Sequence, residues 1–331
     1  MPISGLEVWR AAGHPAGLKD DVHVMDESLS KFWPLIQATI REFWEIIESA
    51  IEEAAIRHEI PVELYYYSEL GLDSFSTKEF QKRDPFSNPQ VFEKLFVTLN
   101  VKGWIQPLAD GSYQVTEKAR QSARQIIRAG DEQLLPLESS ADLDLRRLVS
   151  LLKQLVLANS VAPQPPEKWA ILKRFHATDN SSLLIARTRD ALMDLFAYRD
   201  DCHLSASYPY FGQAGMIWSV LGSLWSQETV TSEKMAETHS FRGYEADEYE
   251  IALQAAVQLG WAEETGAPNV YRITRQGRAI REEAERLTNE YFYGPWSVLT
   301  PGELEELYDL LSKLKEELIS FRRRKQATLS A

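Results

Sequence analysis

The chain has 331 residues, of which 44% are hydrophobic, so it has room for two or three domains with sizeable cores and is not a short peptide-like module. Its formal net charge of -13 opposes a polyanion over most of the surface, and nucleic-acid binding would therefore need a local basic patch. The single cysteine, Cys202, cannot form an internal disulfide, which favours a reducing compartment. No charged segment leads into an apolar run at the N-terminus, and no stretch has the length of a membrane span. We therefore expect a cytoplasmic protein without a membrane partner.

The first strong periodicity along the chain is that of a long amphipathic helix. Residues 1–26 contain glycines, prolines and mixed charges without a clear period, which predicts a loosely ordered lead-in. Over residues 27–60, apolar side chains recur at helical spacing from Phe32 onwards, which predicts one helix that ends before Pro61. The helix also carries several glutamates, but no histidine stands at ligand spacing among them. A solvated face is therefore a better interpretation than paired carboxylates for catalysis or metal binding.

Residues 61–130 have the pattern of a small domain of helices followed by two strands. A tyrosine-rich helix comes first, and Ser76 and Glu79 then have the spacing of a capping box. Pro89 suits the first turn of the next helix, and this helix runs into two short strands joined by a polar turn. A further helix, rich in cations, ends the segment.

Residues 131–211 predict a helical connector with a proline-rich linker near 162–166. In this connector, Asp200, Asp201 and His203 suggest a metal site, and with it a metal-dependent hydrolase. Neighbours at these spacings on a helix do not converge, and a site would need further ligands from elsewhere. A charge cluster at a helix C-terminus is the better interpretation, so we predict no metal, no cofactor and no enzymatic activity.

The landmarks of the small domain return in residues 212–287. Gly103-Trp104, and Thr116 at the end of the second strand, correspond to Gly260-Trp261 and Thr274 at nearly the same spacing. Such internal similarity indicates a structural repeat. Helices followed by a two-stranded wing are the order of a winged helix-turn-helix. We therefore predict a mainly α fold with small β wings, made of two winged helix-turn-helix domains plus long N-terminal and C-terminal helices.

A helix-turn-helix protein reads DNA with the helix that precedes the wing. In the first copy, that helix and the turn before it offer amides and cations that suit bases and phosphates. In the second copy the equivalent helix begins with four carboxylates between Glu245 and Glu250, which would repel phosphate, so its contacts would have to come from arginines of the turn and wing. The candidate DNA-binding residues are Lys82, Arg83, Asn88, Gln90, Lys94, Arg242, Arg272 and Arg275. The alternative, that these are cap and surface residues only, stays open.

Residues 288–331 predict a packing or dimerisation helix with a basic tail. An aromatic segment comes first, and Thr300 and Glu303 have the spacing of a helix cap. Leucines then recur at helical spacing, which is typical of a core face or a seam with a partner helix. The chain ends with Arg322-Arg323-Arg324-Lys325, a run that is more often solvated than functional.

The second copy and the segment after it resemble the MarR-like winged-helix regulators. The resemblance lies in Gly260-Trp261, in Tyr271 to Arg278, in Phe292 to Leu299 and in Glu303 to Leu314, and a weaker likeness covers residues 62–128. It implies a protein that binds DNA as a dimer through a C-terminal helical element and that, in many members, responds to a small molecule. The acidic helix after Glu245 departs from the basic recognition helix of that family.

These observations favour a transcriptional regulator that binds double-stranded DNA, with a possible small-molecule effector and a homodimer through the C-terminal helix. The alternative is a protein-interaction or small-molecule-sensing module whose degenerate winged helices no longer bind DNA. The net charge of -13 is the best support for this alternative. An effector pocket would draw on the aromatic residues Trp33, Trp44, Tyr65, Tyr66 and Trp169, although core packing is the better interpretation of these side chains.

Overall fold

The structure is a computed structural model that describes residues 27–59, 74–138, 143–174, 183–212, 214–227 and 229–329. The described chain is mainly helical and contains two small antiparallel sheets, as expected. The helices are α1 (Glu27–Ser30), α2 (Phe32–Arg57), α3 (Thr77–Arg83), α4 (Pro89–Val101), α5 (Glu117–Leu134), α6 (Leu145–Val161), α7 (Ala170–Lys173), α8 (Leu184–Phe211), α9 (Gly215–Ser226), α10 (Ser232–Thr238), α11 (Ala246–Gln258), α12 (Arg275–Tyr293) and α13 (Pro301–Leu329). Short 3-10 helices cover Leu135–Leu137, Ser240–Arg242 and Gly294–Val298. The strands are β1 (Ser74–Phe75), β2 (Ile105–Pro107), β3 (Tyr113–Val115), β4 (Ala262–Glu264) and β5 (Tyr271–Ile273). The predicted lead-in 1–26 and the tyrosine-rich helix after Pro61 lie outside the described residues.

These elements form two compact units, each made of separate stretches of chain. Unit 1 contains the described residues within Asp73–Thr116, here called the first segment, and within His203–Thr288, the second segment. Unit 2 contains the described residues within His23–Leu72, Glu117–Cys202 and Asn289–Ala331. The strands and recognition-position helices of both predicted copies therefore belong to one unit. The domain boundaries drawn from the sequence stay a prediction.

Unit 2 is organised around α2, which packs against α5 and α13. Its predicted apolar face is buried, and Gly130 of α5 lies so close that a Cβ there would be 3.2 Å from the Ile51 side chain. The leucine stripe of α13 is buried as well; its members with no exposed surface are Leu307, Leu311, Leu314 and Leu318. This stripe is thus a packing face within the chain.

The ends of α13 are fixed by side-chain contacts. Thr300 and Glu303 form the predicted cap, because the Glu303 carboxylate accepts from the Thr300 N–H at 3.0 Å and the Thr300 Oγ1 accepts from the Glu303 N–H at 3.3 Å. The predicted basic tail is part of the same helix. In it, Arg322 donates to the Glu42 carboxylate at 2.8 Å and Lys325 donates to the Gln133 side chain at 2.9 Å.

The aromatic residues of unit 2 belong to its core. Trp33 and Trp44 are buried, and Trp33 packs edge-on against Phe292 with ring centroids 5.5 Å apart. Trp296 is fully buried and contacts the ring of Phe32 at 4.9 Å. Of the remaining aromatics suggested for a pocket, Trp169 is half-buried and the two tyrosines lie outside the described residues.

In the first segment, β1 and the strand pair form a three-stranded sheet in the order β1-β3-β2. Ser76 accepts from the Glu79 N–H and Glu79 accepts from the Ser76 N–H, so the predicted capping box is present at the start of α3. Phe96 of α4 is the centre of the core, with its ring 4.9 to 6.5 Å from those of Phe75, Phe80, Tyr113 and Phe92.

The second segment repeats the local structure of the first. Helix α4 ends at Gly103 and α11 at Gly260, both in the left-handed region with φ of 71° and 74°, and a buried tryptophan follows each. The threonine after the second strand then closes the wing, since Thr116 donates to the Gly103 carbonyl at 3.2 Å and Thr274 donates to the Gly260 carbonyl at 2.6 Å. Equivalent positions of α4 and α11 are also buried: Phe92 and Tyr249, Phe96 and Leu253, Leu99 and Ala256.

Candidate nucleic-acid interface

In the second segment, α10 and α11 form a helix-turn-helix. The Thr231 hydroxyl accepts from the Lys234 N–H at 3.2 Å and caps α10 at the predicted position. The chain turns through a 3-10 helix to Gly243, whose φ of 69° lies in the left-handed region that glycine adopts without strain. A reciprocal cap between Glu245 and Glu248 then starts α11.

Helix α4 has the more suitable surface for DNA. Gln90 and Lys94 are exposed on it, one turn apart, and Lys82 is exposed near the end of α3. Arg83 is half-buried and already has a partner within the chain. The exposed stripe continues along α4 with Val97 and Val101, 57% and 81% exposed, so only its N-terminal half is polar.

Helix α11 presents an acidic start and an apolar middle. Glu245 and Asp247 are exposed there, and Ile251, one turn after Asp247, is 68% exposed. Glu250 is drawn into the wing, where it accepts a short hydrogen bond from the Tyr271 hydroxyl. These anions face away from the core, where they oppose phosphate as the sequence indicated.

Asn88 and Arg242, both predicted to contact DNA, contact each other's segments. Asn88 caps α4 through its side-chain oxygen, its backbone N–H donates to the Arg242 carbonyl at 2.9 Å, and its side-chain amide donates to the Gly243 carbonyl at 3.3 Å. The Arg242 guanidinium lies 5.4 Å from the Phe86 ring centroid, donates to the Ser219 hydroxyl, and has its Nε enclosed. Burial lowers the pKa of Arg242, and the Asp84 carboxylate opposes this effect. The two side chains are therefore engaged within unit 1.

The arginines of the second wing differ in their freedom. Arg272 is exposed, but its Nε lies 2.6 Å from the Glu263 carboxylate across the strand pair. Arg275 is exposed at the start of α12, and Arg278, which was not among the predicted contacts, is exposed one turn later. Its position just after the wing is the signal in the sequence that could have identified it.

The aspartate and histidine cluster of the connector is divided between two structural roles. The Asp201 carboxylate is buried and accepts from three consecutive backbone amides, those of Trp169 at 3.0 Å, Ala170 at 2.7 Å and Ile171 at 2.9 Å. His203 instead has its Nδ1 3.4 Å from the Glu285 carboxylate. Among the described residues, no group of three or more His, Cys, Asp or Glu side chains is arranged to hold a metal ion.

Unit 1 also contains a buried polar network that the sequence did not reveal. The Arg281 guanidinium lies 4.6 Å over the Trp218 ring and 5.1 Å over the Trp225 ring, and it donates to Glu285 at 3.2 Å. Burial lowers the pKa of Arg281, and the neighbouring Glu285 raises it. The only signal in the sequence was the spacing of Arg281 and Glu285 on one helix, which solvated ion pairs share.

Comparison with known proteins identifies the second segment. A helix-turn-helix family model matches residues 198–322, which include the helix-turn-helix of α10 and α11, both strands of the second sheet and all of α12. This match supports a DNA-binding helix-turn-helix domain in this part of the chain. Searches of the curated proteins and of the solved structures gave no match. Within the part of the chain that the structure describes, no helix has both the length and the apolar composition needed to span a bilayer.

Proposed function

We propose that the chain is a DNA-binding transcriptional regulator of the winged helix-turn-helix type, with two copies that correspond to the first and second segments. The observation that carries this proposal is the helix-turn-helix of α10 and α11 inside the residues that the family model matches. The shared burial pattern, left-handed glycines and wing hydrogen bonds support the tandem arrangement. A MarR-like mode of action and a cytoplasmic location belong to the same proposal, which includes no catalytic step.

The balance of charge assigns DNA contact to the first segment. Residues 74–116 contain five lysines and arginines against four aspartates and glutamates, whereas residues 203–288 contain seven against twelve. Because nonspecific affinity for DNA depends on cations that neutralise phosphates, the second segment is repelled overall. We therefore propose Gln90 and Lys94 as contacts of α4 with the major groove and Lys82 as a phosphate contact. Arg275 and Arg278 would add phosphate contacts from the second segment.

A homodimer through α13 is part of the proposal. Because the leucine stripe of α13 is buried within the chain, the contact would use the opposite face of the helix. Glu305, Asp309 and Lys313 are exposed there at successive turns. Two-fold pairing through this face would give a palindromic site.

The proposal is tested by the fluorescence anisotropy of random-sequence duplex DNA, titrated with protein at low and at physiological salt. The first variant is Lys82→Glu/Lys94→Glu, and its matched control is Arg57→Glu/Lys313→Glu, which makes the same change in net charge at exposed positions of unit 2. We expect the first variant to lose at least about tenfold in affinity at low salt and to lower the slope of log K against log salt by about 2, since each lost phosphate contact removes about 0.9. The control should retain the slope.

A second variant, Arg275→Glu/Arg278→Glu, assigns the role of the second segment. Loss of slope in this variant alone would move the interface from α4 to the second wing. Absence of binding at low salt by the unaltered protein would refute the proposed function, because even the nonspecific electrostatic contribution would then be missing.

A second candidate function, a protein-interaction module with degenerate winged helices, is favoured by one observation. The recognition-position helices expose Val97, Val101 and Ile251 where a DNA-reading helix carries polar groups. A small-molecule effector would have a cavity of about 510 Å³ in unit 2, lined by Leu143, Ser312, Lys313, Glu316 and Glu317. Unchanged DNA binding after Val97→Ser or Ile251→Ser would separate these apolar positions from the DNA contact.

A further inference from the structure

The two segments of unit 1 meet where their recognition-position helices begin. Besides the Asn88 hydrogen bonds, Gly243 approaches α4 so closely that a Cβ there would lie 2.3 Å from Cγ2 of Val91. Gly215 of α9 approaches the turn before α4, where a Cβ would lie 2.0 Å from the Pro85 carbonyl oxygen. Side chains larger than hydrogen at these two positions would force the segments apart.

The Arg242 side chain fills the centre of this contact. Its guanidinium bridges the Phe86 ring of the first segment and the Ser219 hydroxyl and Phe241 ring of the second, the latter at 5.5 Å. Phe86 in turn packs against Phe211 with centroids 5.9 Å apart. A planar, delocalised cation stacks on aromatic rings and donates in its own plane at the same time, which lysine cannot do.

We propose that this contact, the joint, fixes the two helix-turn-helix segments as one DNA-binding body, with Arg242 as its positioning residue. The joint comprises Pro85, Phe86, Asn88, Gly215, Arg242 and Gly243. Its existence is independent of DNA binding, whereas its consequence for DNA rests on the proposed function.

That consequence is geometric. Recognition helices that read successive major grooves on one side of a duplex stand about 34 Å apart. Asn88 caps α4 and Gly243 lies two residues before the cap of α11, yet these residues are joined by a hydrogen bond of 3.3 Å. The starts of the two helices therefore cannot enter two such grooves within one chain. One chain covers a single contiguous site, and a second half-site needs a second chain.

Two measurements on the full chain test the joint without DNA. The first is the distance distribution between spin labels at Thr98→Cys on α4 and Gln258→Cys on α11, with the buried Cys202 replaced by alanine. We expect one narrow distribution, which Arg242→Ala and Arg242→Lys broaden and Arg275→Ala does not. The second is the amide exchange of Asn88, which should accelerate about tenfold in Arg242→Ala because loss of the guanidinium contacts lets the joint open. A broad distribution in the parent protein, or an unchanged one in both Arg242 variants, would overturn the proposal.

Gly215→Ala probes the joint without removing a charge, and Gly222→Ala on the same helix is its control because a Cβ there meets nothing within 4 Å. Only Gly215→Ala should broaden the distance distribution; equal behaviour of the two glycine variants would contradict the joint. Salt dependence then distinguishes positioning from phosphate contact. If Arg242 touched phosphate, Arg242→Ala would lower the salt slope by about 1, whereas the joint predicts weaker binding with an unchanged slope.

Discussion

Replacement of Asp201 by alanine tests whether the carboxylate is a structural cap or part of a metal site. The three amides of Trp169, Ala170 and Ile171 would lose their common acceptor. Ala170 and Ile171 are buried, with 2% and 6% exposure, so water cannot replace the carboxylate at their N–H groups. Each buried donor left without a partner costs about 1–3 kcal/mol, which gives about 2–6 kcal/mol for these two. The amide of the half-buried Trp169 can be hydrated and adds less.

The assay is residue-resolved hydrogen exchange of these amides, together with urea denaturation. We expect the exchange of Ala170 and Ile171 to accelerate at least about thirtyfold in Asp201→Ala, the ratio that corresponds to about 2 kcal/mol. Asp201→Asn should lose most of the same protection, because one carboxylate oxygen becomes a donor that faces another donor. The neighbouring Asp200→Ala is the control, since Asp200 does not accept from these amides.

The reasoning would be refuted if Asp201→Ala left both the exchange and the denaturation midpoint unchanged. If the same variant also lost a metal detected by elemental analysis of the parent protein, the metal-dependent alternative would gain the support that it lacks. Removal of metal by a chelator should otherwise leave the unfolding of the chain unaltered.

Two further predictions concern unit 1. Phe96→Ala should lower the free energy of unfolding by about 3–5 kcal/mol through the cavity it leaves among aromatic rings, while the adjacent, exposed Val97→Ala should change it by less than about 0.5 kcal/mol in urea denaturation. His239, whose pKa burial lowers from 6.5 to about 4, with Arg242 adding to the effect, should make unit 1 less stable as the pH falls. The unfolded chain binds a proton below about pH 6.5 and the folded chain does not until about pH 4, so about 3 kcal/mol of stability, complete above the upper value, is lost between them. His239→Gln should flatten this part of the stability profile and the exposed His58→Gln should not; a profile that His239→Gln leaves unchanged would contradict the assignment.

Local signals in the sequence predicted the elements well. The helix from Phe32 and the capping boxes at Ser76 and Thr300 were confirmed, because caps and periodicity act over a few residues. The two glycines that end α4 and α11 were visible in the same way. By contrast, β1 is a strand of two residues, too short for any alternation, and it becomes a strand only by pairing with β3.

The contacts that decide the candidate site are distant in sequence and could not be predicted. Asn88 and Gly243 are separated by 155 residues, and the amides that Asp201 caps by about 30. An asparagine before a recognition-position helix and an arginine in the preceding turn have the same composition whether they bind phosphate or another segment of the chain. Only the fold shows that Asn88 and Arg242 are engaged within unit 1.

The joint also reconciles two observations that otherwise conflict. The family match falls on the second segment, whereas the balance of charge places the favourable surface on the first. If the segments were independent, the acidic second segment would add only repulsion to DNA binding. Held at Arg242 as one body, it instead fixes the orientation of α4 relative to the arginines after the second wing. Specificity would then come from α4, while the anions at the start of α11 exclude arrangements that bring that helix onto phosphate. Reversing those anions, for example by Asp247→Lys, should therefore raise the affinity for random DNA more than it raises the preference for a specific site.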